Sequence, residues 1–276
     1  MNDSDLLLRQ ELAVRIAREA GDLTLRYFRT DAFSVELKGD RTPVTVADRE
    51  AELLLRERIN AALPEDGIVG EEFPERPGTS GFRWILDPID GTKSFISGVP
   101  LYGTLVGVEH AGRGVVGVIH IPGTAETIYA ARGHGAWYLS ADGHKRQARV
   151  SSKRRLAEGL FCTSEIKTFH EIDRRDVFDR LQGSAWLTRT WGDCFGYLLV
   201  ATGRAELMVD PKMNLWDCAA VQPVVEEAGG SFTDWTGEPT IYSGNAIATN
   251  GLILDEVLAL VRADEKAESG KRKAGF

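Results

Sequence analysis

Two aspartates flank a Pro-Ile pair in the stretch WILDPIDGTKSF, residues 84–95. Pro88 fixes its own backbone φ, so the turn has few conformations to choose from. Asp87, the carbonyl of Ile89 and Asp90 can therefore turn toward one point. Carboxylate and carbonyl oxygens are the ligands that magnesium prefers, whereas softer metals favour His or Cys. The spacing predicts a hard-cation site, and the bland alternative is a simple strand-ending turn.

The residues that follow these aspartates favour an anion site. Gly91 permits close approach of the backbone, and Thr92 can begin a short helix. The amides of Gly91 and Thr92 would then point out of a helix N-terminus, where phosphate groups bind. A metal and a phosphate would meet at this turn.

Three further acids lie where a strand or loop meets a helix or turn: Asp48 in TVAD, Glu71 in VGEEF and Asp217 in LWDCAA. Each has a structural alternative. Asp48 and Asp217 could cap the helices that follow them, and Glu71 could be an exposed loop acid. Their occurrence together with the two turn aspartates favours a metal cage.

The composition is that of a globular protein. The 276 residues are 43% hydrophobic, with 33 basic and 41 acidic residues and a formal net charge of -8. This charge opposes binding to nucleic acid or an anionic membrane, so we expect neither as a partner. We see no apolar run of membrane-spanning length and no signal peptide, which predicts a cytoplasmic protein. Cys162, Cys194 and Cys218 are expected to be buried and reduced, without zinc or disulfides.

The elements that must position these acids follow from periodicity. Helices are predicted up to about Arg29 and from about Asp48 to Leu63. The segment between them, KGDRTPVTVAD, is predicted to be a turn or a mobile hairpin that could act as a flap. Lys38 lies in this flap, and its role is open. From Phe82 to Tyr138 short β-rich runs predict an antiparallel sheet, with a hairpin through Ala111 to Gly114.

The second half has an α/β pattern. We expect strands near Gly159–Thr163 and Ala205–Val209, and helices near Glu171–Leu181, Cys194–Ala201, Cys218–Ala228 and Asp255–Ala263. Pro223 should kink the third of these helices or shorten its hydrogen-bond ladder. The predicted division is 1–140 for an N-terminal α+β half, 141–264 for a C-terminal α/β half and 265–276 for a flexible tail, all in one compact catalytic unit.

With these motifs in place, the sequence resembles the inositol monophosphatase superfamily of magnesium-dependent, lithium-sensitive phosphatases. The resemblance rests on GEE at 70–72, WILDPIDGTKSF at 84–95 and LWDCAAVQPVVEEAGG at 215–230, in the family's order and spacing. It extends to AIATNGLILDEVL at 246–258 and leaves only the tail outside. It implies an α/β (α+β) fold, the layered αβαβα sandwich of the inositol monophosphatase and fructose-1,6-bisphosphatase type, and a homodimer.

The resemblance also implies roles for individual residues. Glu71, Asp87 and the Ile89 carbonyl would bind one magnesium ion, and Asp87, Asp90 and Asp217 a second, with a looser third ion near Glu71. Thr92, hydrogen-bonded to Asp48, would orient and deprotonate the attacking water. The implied catalytic residues are Thr92, Asp48 and Glu71, and the implied substrate-binding residues are Asp90, Gly91, Thr92, Arg189, Asp193, Asp210 and Asp217.

Several stretches resemble the histidinol-phosphate phosphatase branch: DPIDGTKSFISGVP, AARGHGAW, TRTWGDCFGYLLVATG and VDPKMNLWD. The Gly192-Asp193 pair departs from the small residues usual in inositol phosphatases, which favours a cationic alcohol as leaving group. Asp193, Asp210 and Arg189 could contact that alcohol, or pair with one another and shape the pocket. Trp191 could stack on an imidazole or lie in the core.

The expected reaction is therefore magnesium-dependent hydrolysis of a small phosphorylated metabolite, histidinol phosphate, in histidine biosynthesis. The first alternative is a phosphatase of the same superfamily that acts on inositol 1-phosphate or on a broad range of sugar phosphates. The second is a non-catalytic regulator on the same fold, which the presence of Glu71, Asp90, Thr92 and Asp217 opposes. The five histidines show no metal-binding spacing, and the chain has neither an Asp-x-Asp-x-Thr loop nor a P-loop.

Overall fold

The computed structural model describes residues 2–30, 36–37 and 43–263. Lys38 and the tail 265–276 lie outside the described residues, and so does the first part of the predicted flap, residues 38–42. The helices are α1 (Asp3–Leu25), α2 (Val46–Ala62), α3 (Thr92–Ile96), α4 (Ile166–Glu171), α5 (Arg175–Ser184), α6 (Asp193–Ala201), α7 (Leu215–Ala219), α8 (Val221–Glu227) and α9 (Leu254–Arg262).

The strands fall into two large sheets and one short pair. They are β1 (Glu36–Leu37), β2 (Pro43–Val44), β3 (Gly67–Gly70), β4 (Phe82–Asp90), β5 (Gly103–His110), β6 (Arg113–Ile121), β7 (Glu126–Ala131), β8 (Ala136–Leu139), β9 (Lys145–Gln147), β10 (Leu160–Cys162), β11 (Leu187–Arg189), β12 (Leu207–Asp210), β13 (Ser231–Thr233) and β14 (Ala246–Thr249). Short 3-10 turns lie at Pro122–Thr124 and Leu156–Glu158.

The first large sheet has seven strands in the order β3-β4-β5-β6-β7-β8-β9. Its strands are antiparallel from β4 onward, as predicted, whereas β3 runs parallel to β4. The predicted β5–β6 hairpin is present, with Ala111 and Gly112 at positive φ in a two-residue loop. This sheet extends beyond residue 140, because β9 belongs to it. The division of the chain into two halves at 140/141 stays a prediction.

The second large sheet has five strands in the order β11-β10-β12-β14-β13. β10 runs parallel to both β11 and β12, and β14 runs antiparallel to both β12 and β13. Strands β11 and β13 form its edges.

Three cores hold these sheets and the helices in five layers. Leu12, Ile16 and Leu55 of α1 and α2 pack on one face of the seven-stranded sheet. Tyr197 and Val221 of α6 and α8 fill the space between the two sheets. The outer face of the five-stranded sheet is covered by α4, α5 and α9 through a third core that includes Phe169, Phe178, Val257, Phe161 and Ile247. This order of layers confirms the predicted αβαβα sandwich.

Two helix predictions were wrong at their ends or in their continuity. The helix predicted over Glu171–Leu181 corresponds to α5, which begins only at Arg175, and Glu171 is the last residue of the separate helix α4. The helix predicted over Cys218–Ala228 begins earlier and divides at Ala220 into α7 and α8. Pro223 lies in the first turn of α8, where a backbone N–H has no partner within the helix, so the predicted effect of this proline falls at the division between α7 and α8.

A buried ion pair ties α1 to the first sheet. The Arg9 guanidinium donates to both oxygens of Asp66 at 2.7 and 2.9 Å. Asp66 also accepts hydrogen bonds from the Trp84 indole at 2.8 Å and from the Ser80 hydroxyl at 2.6 Å. Since every donor in this cluster meets an acceptor, the buried charges are compensated.

Among the described ranges, no helix combines the length and apolar character that a membrane span requires. All three cysteines are free and buried, as predicted.

Candidate active site

The C-terminal end of β4 brings the predicted metal ligands together. The pairing of β4 with β5 shifts register between Asp87 and Asp90, which turns both side chains out of the regular pleat. One carboxylate oxygen each from Asp87, Asp90 and Asp217 lies within 4.8 Å of the other two. Asp87 is buried, and the other two are partly buried.

Two of the predicted site acids are held by capping boxes at the starts of helices. Asp48 is the third residue of α2, and its Oδ2 accepts from the Thr45 amide at 2.8 Å and the Thr45 hydroxyl at 2.6 Å. Asp217 is the third residue of α7, and its Oδ2 accepts from the Asn214 amide at 2.7 Å. The expectation that the acids themselves are N-caps was wrong, because Thr45 and Asn214 hold those positions. In both acids Oδ1 remains for another partner.

The two turn aspartates are oriented in the same way. Oδ1 of Asp87 accepts from the Ile89 amide at 3.1 Å. Oδ2 of Asp90 accepts from the Cys194 amide, in the first turn of α6. Each carboxylate is thus fixed through one oxygen by a backbone amide, and its other oxygen is free to face the shared point.

Burial and mutual repulsion both act on the carboxyls of the cluster. Burial raises the pKa of Asp87 and Asp90 well above the usual value, and neighbouring carboxylates raise it further. Burial raises the pKa of Asp217 to about 7, with a further contribution from the charge of Glu71. Burial likewise raises the pKa of Asp48 to about 6, and Glu71 adds to that rise. Glu71 therefore lies within electrostatic reach of the other acids.

This donor set fits a hard divalent cation. Partly buried carboxylates with oxygens this close repel one another unless a proton or a cation lies between them. Nitrogen or sulfur ligands are absent from the group, which argues against zinc or copper and for magnesium, calcium or manganese.

Thr92 differs from its predicted contact. Its hydroxyl donates to the carbonyl of Ile89 at 3.0 Å, whereas Asp48 receives its hydrogen bonds from Thr45. The predicted Thr92–Asp48 hydrogen bond is therefore wrong for this structure. The reason is local, because Thr92 opens the five-residue helix α3 and its hydroxyl reaches the carbonyl three residues earlier.

Gly91 is required by both conformation and space. It has a φ of +85°, which L-residues rarely adopt, and a Cβ there would lie 2.9 Å from Oδ2 of Asp193. The Asp193 carboxyl thus lies beside the turn that carries Gly91. It is itself at a φ of 51°.

Asp193 and Asp210 occupy different environments. Asp193 donates its amide to the Ser164 hydroxyl at 2.8 Å. Burial raises the pKa of its carboxyl to about 6, to which the charge of Asp210 contributes. Asp210 uses both oxygens, accepting from the Ser164 amide at 2.9 Å and from the Tyr197 hydroxyl at 3.0 Å. This favours bracing of the Ser164 segment by Asp210. The Asp193 carboxyl is itself hydrogen-bonded with the Ser164 side chain, and its Oδ2 lies beside Gly91.

Arg189 and Trp191 lie at the surface of the site. The Arg189 guanidinium donates to the Thr188 carbonyl at 2.8 Å and lies 5.7 Å from the centroid of the Trp191 ring. Trp191 is 41% exposed, so the alternative that it is a core aromatic is wrong.

The structure adds residues that the sequence did not single out. Cys194, Ser164 and Tyr197 act through an amide, a hydroxyl and a phenol that hold the acids named above. Lys93 and Glu165 form an ion pair beside them. Lys93 could have been found, because it directly follows Gly91 and Thr92, whereas the others depend on tertiary contacts with no local sequence signal.

The comparison with known proteins agrees with this fold. The sequence matches the inositol monophosphatase family over residues 6–266. It is 45% identical to a histidinol-phosphatase of Chlorobaculum parvum, covering 87% of this chain and 90% of the relative. It is 38% identical to a histidinol-phosphatase of Mycobacterium tuberculosis, covering 95% and 100%. The structure of an IMPase from Thermotoga maritima superposes with a TM-score of 0.82 at 32% identity, covering 95% of this chain and 98% of that one.

A five-layer sandwich with this carboxylate cluster defines a phosphatase of the metal-dependent class. The chain belongs to the inositol monophosphatase family. Both the predicted family and the predicted phosphatase class are confirmed.

Proposed function

We propose that the protein hydrolyses histidinol phosphate to histidinol and phosphate. The observation that carries this proposal is the position of Asp193, which contacts the turn of the Asp87, Asp90 and Asp217 cluster. A carboxylate at that point suits an alcohol that bears an ammonium group. The similarity to histidinol-phosphatases over most of the chain supports the same substrate.

The proposed cofactor is magnesium, two or three ions, held by Glu71, Asp87, the Ile89 carbonyl, Asp90 and Asp217. Bound there, magnesium supplies the positive charge that brings a phosphate dianion into an acidic site and makes the attacking water more acidic. The chain contributes the fixed orientation of the carboxylates, because each aspartate is held by a backbone amide.

The phosphate would be bound by the amides of Gly91 and Thr92, where the backbone leaves β4 and enters α3. The Thr92 hydroxyl donates its proton to Ile89, so its lone pairs are free to accept a hydrogen bond from the attacking water and orient it. Asp48 and Glu71 are the proposed proton acceptors. They lie near enough that Glu71 adds to the rise that burial causes in the pKa of Asp48.

The leaving alcohol would lie on the side of α6. Asp193 would accept hydrogen bonds from the ammonium group, and the exposed ring of Trp191 would stack on the imidazole. Asp210 would hold the Ser164 segment in place without contacting the substrate, and Arg189 would orient Trp191 through its position over the ring.

A homodimer is also proposed. Strand β11 is an edge strand of the second sheet, and two exposed tryptophans flank it, Trp186 at 69% and Trp191 at 41% exposure. Exposed aromatic side chains beside a sheet edge are typical of an interface. Light scattering on the purified protein tests this, and a monomer at micromolar concentration would contradict it. Lithium inhibition and a cytoplasmic location stay predictions from the sequence.

The second candidate is a phosphatase for inositol 1-phosphate, favoured by the similarity to the Thermotoga maritima IMPase. The proposed function is tested by phosphate release from histidinol phosphate with magnesium, with EDTA and after magnesium is restored. We expect reversible loss of activity in EDTA. The Asp90→Asn variant should fold normally and keep less than about a tenth of the activity, because it removes one charge of the metal cluster. Full activity without metal would overturn the mechanism.

A further inference from the structure

An ion pair between Lys93 and Glu165 lies close enough to Asp193 to act on its carboxyl, and it has no role in the reaction outlined above. Lys93 lies in α3, directly after the proposed phosphate-binding amides, and Glu165 is the residue that precedes α4. Their side chains are joined by a hydrogen-bonded ion pair although they are 72 residues apart in the chain. The pair thus connects the end of the first sheet to the segment that follows β10 of the second.

Glu165 stands on a segment that the site itself holds rigidly. The neighbouring Ser164 donates its amide to Asp210 at 2.9 Å and accepts the amide of Asp193 at 2.8 Å. A Cβ on Gly192 would lie 2.1 Å from the Ser164 Cα, so the two backbones touch and only glycine fits. Glu165 therefore has a fixed place beside Asp193. The charges of both Glu165 and Lys93 act on the Asp193 carboxyl.

We propose that Glu165 is a specificity-determining residue that selects phosphate esters whose alcohol is positively charged, and that Lys93 is its positioning partner, which the substrate's ammonium group displaces. The inference rests on the proposed function and names the residues that set its substrate preference. At the Asp193 carboxyl the charge of Glu165 adds to the negative field and the charge of Lys93 opposes it, so this side of the site suits a positively charged group. A substrate ammonium restores the balance, a neutral polyol gains nothing, and a second phosphate is repelled.

The pair can exchange partners because it contributes little to folding. The side chains of Lys93 and Glu165 are 69% and 39% exposed, and exposed ion pairs of this kind add little to stability. When the ammonium group of the substrate replaces that of Lys93 beside Glu165, the charge of Glu165 stays compensated. The two residues must then act on amine preference in opposite directions, which a merely structural role would not produce.

The test compares histidinol phosphate with an analogue in which hydrogen replaces the amino group, using the ratio of their kcat/KM values. Glu165→Gln should lower this ratio about fivefold, the upper range for an exposed ion pair, and Lys93→Met should raise it about twofold. Both changes should appear in KM and leave kcat for histidinol phosphate within about twofold. Calorimetry of histidinol binding, which involves no turnover, should show the same order: Glu165→Gln should bind histidinol more weakly than the wild type, and Lys93→Met more tightly.

Matched controls come from the next turn of the same helix. Lys167 and Glu171 form an exposed ion pair at 3.2 Å along α4. Lys167→Met and Glu171→Gln change the net charge equally and should leave the ratio unchanged.

An unchanged ratio in Glu165→Gln, or a shift in the same direction in both site variants, would overturn the inference. A wild-type ratio near one would also overturn it. The proposed function fails by a different result, wild-type preference for inositol 1-phosphate over histidinol phosphate, measured in the same preparation.

Discussion

Replacing Asp217 by Asn should stabilise the metal-free protein while it removes the response to magnesium. The pKa of Asp217 rises from 3.8 to about 7 because of burial, with a contribution from the charge of Glu71. A rise from 3.8 to about 7 is equivalent to about 4 kcal/mol of lost folding free energy at pH 7 and above. Asn keeps an oxygen for the Asn214 amide but has no charge, so we expect the variant to regain about 2 to 4 kcal/mol.

The sign of the pH dependence follows from the direction of this shift. Between pH 3.8 and about 7 the folded protein holds the Asp217 proton that the unfolded chain has lost. The stability of the metal-free wild type therefore falls as pH rises through this window. The advantage of Asp217→Asn should be absent near pH 4 and complete above pH 7.

Urea unfolding in EDTA at pH 8 measures this effect. The urea midpoint of Asp217→Asn should exceed that of the wild type by about 1 M, because the slope for a chain of this size is about 3 kcal/mol per molar. Magnesium at a hundredfold excess over its dissociation constant should stabilise the wild type by about 2.7 kcal/mol and the variant by much less. Glu57→Gln, at a side chain that is 71% exposed, controls for net charge.

Two results would refute this reasoning about the cluster. The first is an equal urea midpoint for the wild type and Asp217→Asn in EDTA at pH 8. The second is equal stabilisation of both proteins by magnesium.

Three further predictions concern the fold and the turn. Burial lowers the pKa of His120 to about 4. The folded protein should therefore lose about 3 kcal/mol of stability as the pH falls from 6.5 toward 4. In His120→Gln the urea midpoint should change less across that range. Asp66→Asn should cost about 3 kcal/mol in urea unfolding by leaving its buried arginine unpaired, with magnesium affinity unchanged in calorimetry. Gly91→Ala should lower kcat/KM at least tenfold by crowding Asp193, whereas Gly133→Ala, also at positive φ but with open space around its Cβ, should not. The first prediction is contradicted if the stability of the wild type does not change between pH 6.5 and pH 4. The second is contradicted if Asp66→Asn is as stable as the wild type, and the third if Gly91→Ala and Gly133→Ala are equally active.

The sequence predicted the elements that carry strong local signals. Apolar periodicity gave α1 and α2 to within a few residues, and short β-rich runs gave the sheet from β4 to β8. The short strands β3, β9, β11, β13 and β14 were not predicted, because each has only three or four residues and depends on its neighbours for pairing. The division of one predicted helix lies at Ala220, three residues before Pro223, so this proline signalled a disturbance of the helix but not its position.

The acids of the site were predictable, but their supports were not. Asp87 and Asp90 share a distinctive turn, and Asp217 falls in a motif of the family, so their proximity at the end of β4 followed. The partner of Thr92 was predicted wrongly, because a hydroxyl beside a carboxylate and a hydroxyl beside a carbonyl look alike in a sequence. The ion pair of Lys93 with Glu165 depends on contact between distant segments, which periodicity cannot show.

The central claim is that the carboxylate cluster and Asp193 together make a phosphatase for a cationic alcohol phosphate. The most direct test is a competition in one reaction, in which equal concentrations of histidinol phosphate and inositol 1-phosphate compete for the magnesium-loaded wild type. The ratio of the two rates of alcohol release equals the ratio of the kcat/KM values. We predict that histidinol is released at least about tenfold faster, the factor that about 1.4 kcal/mol of differential binding provides. Equal rates, or faster release of inositol, would contradict the account.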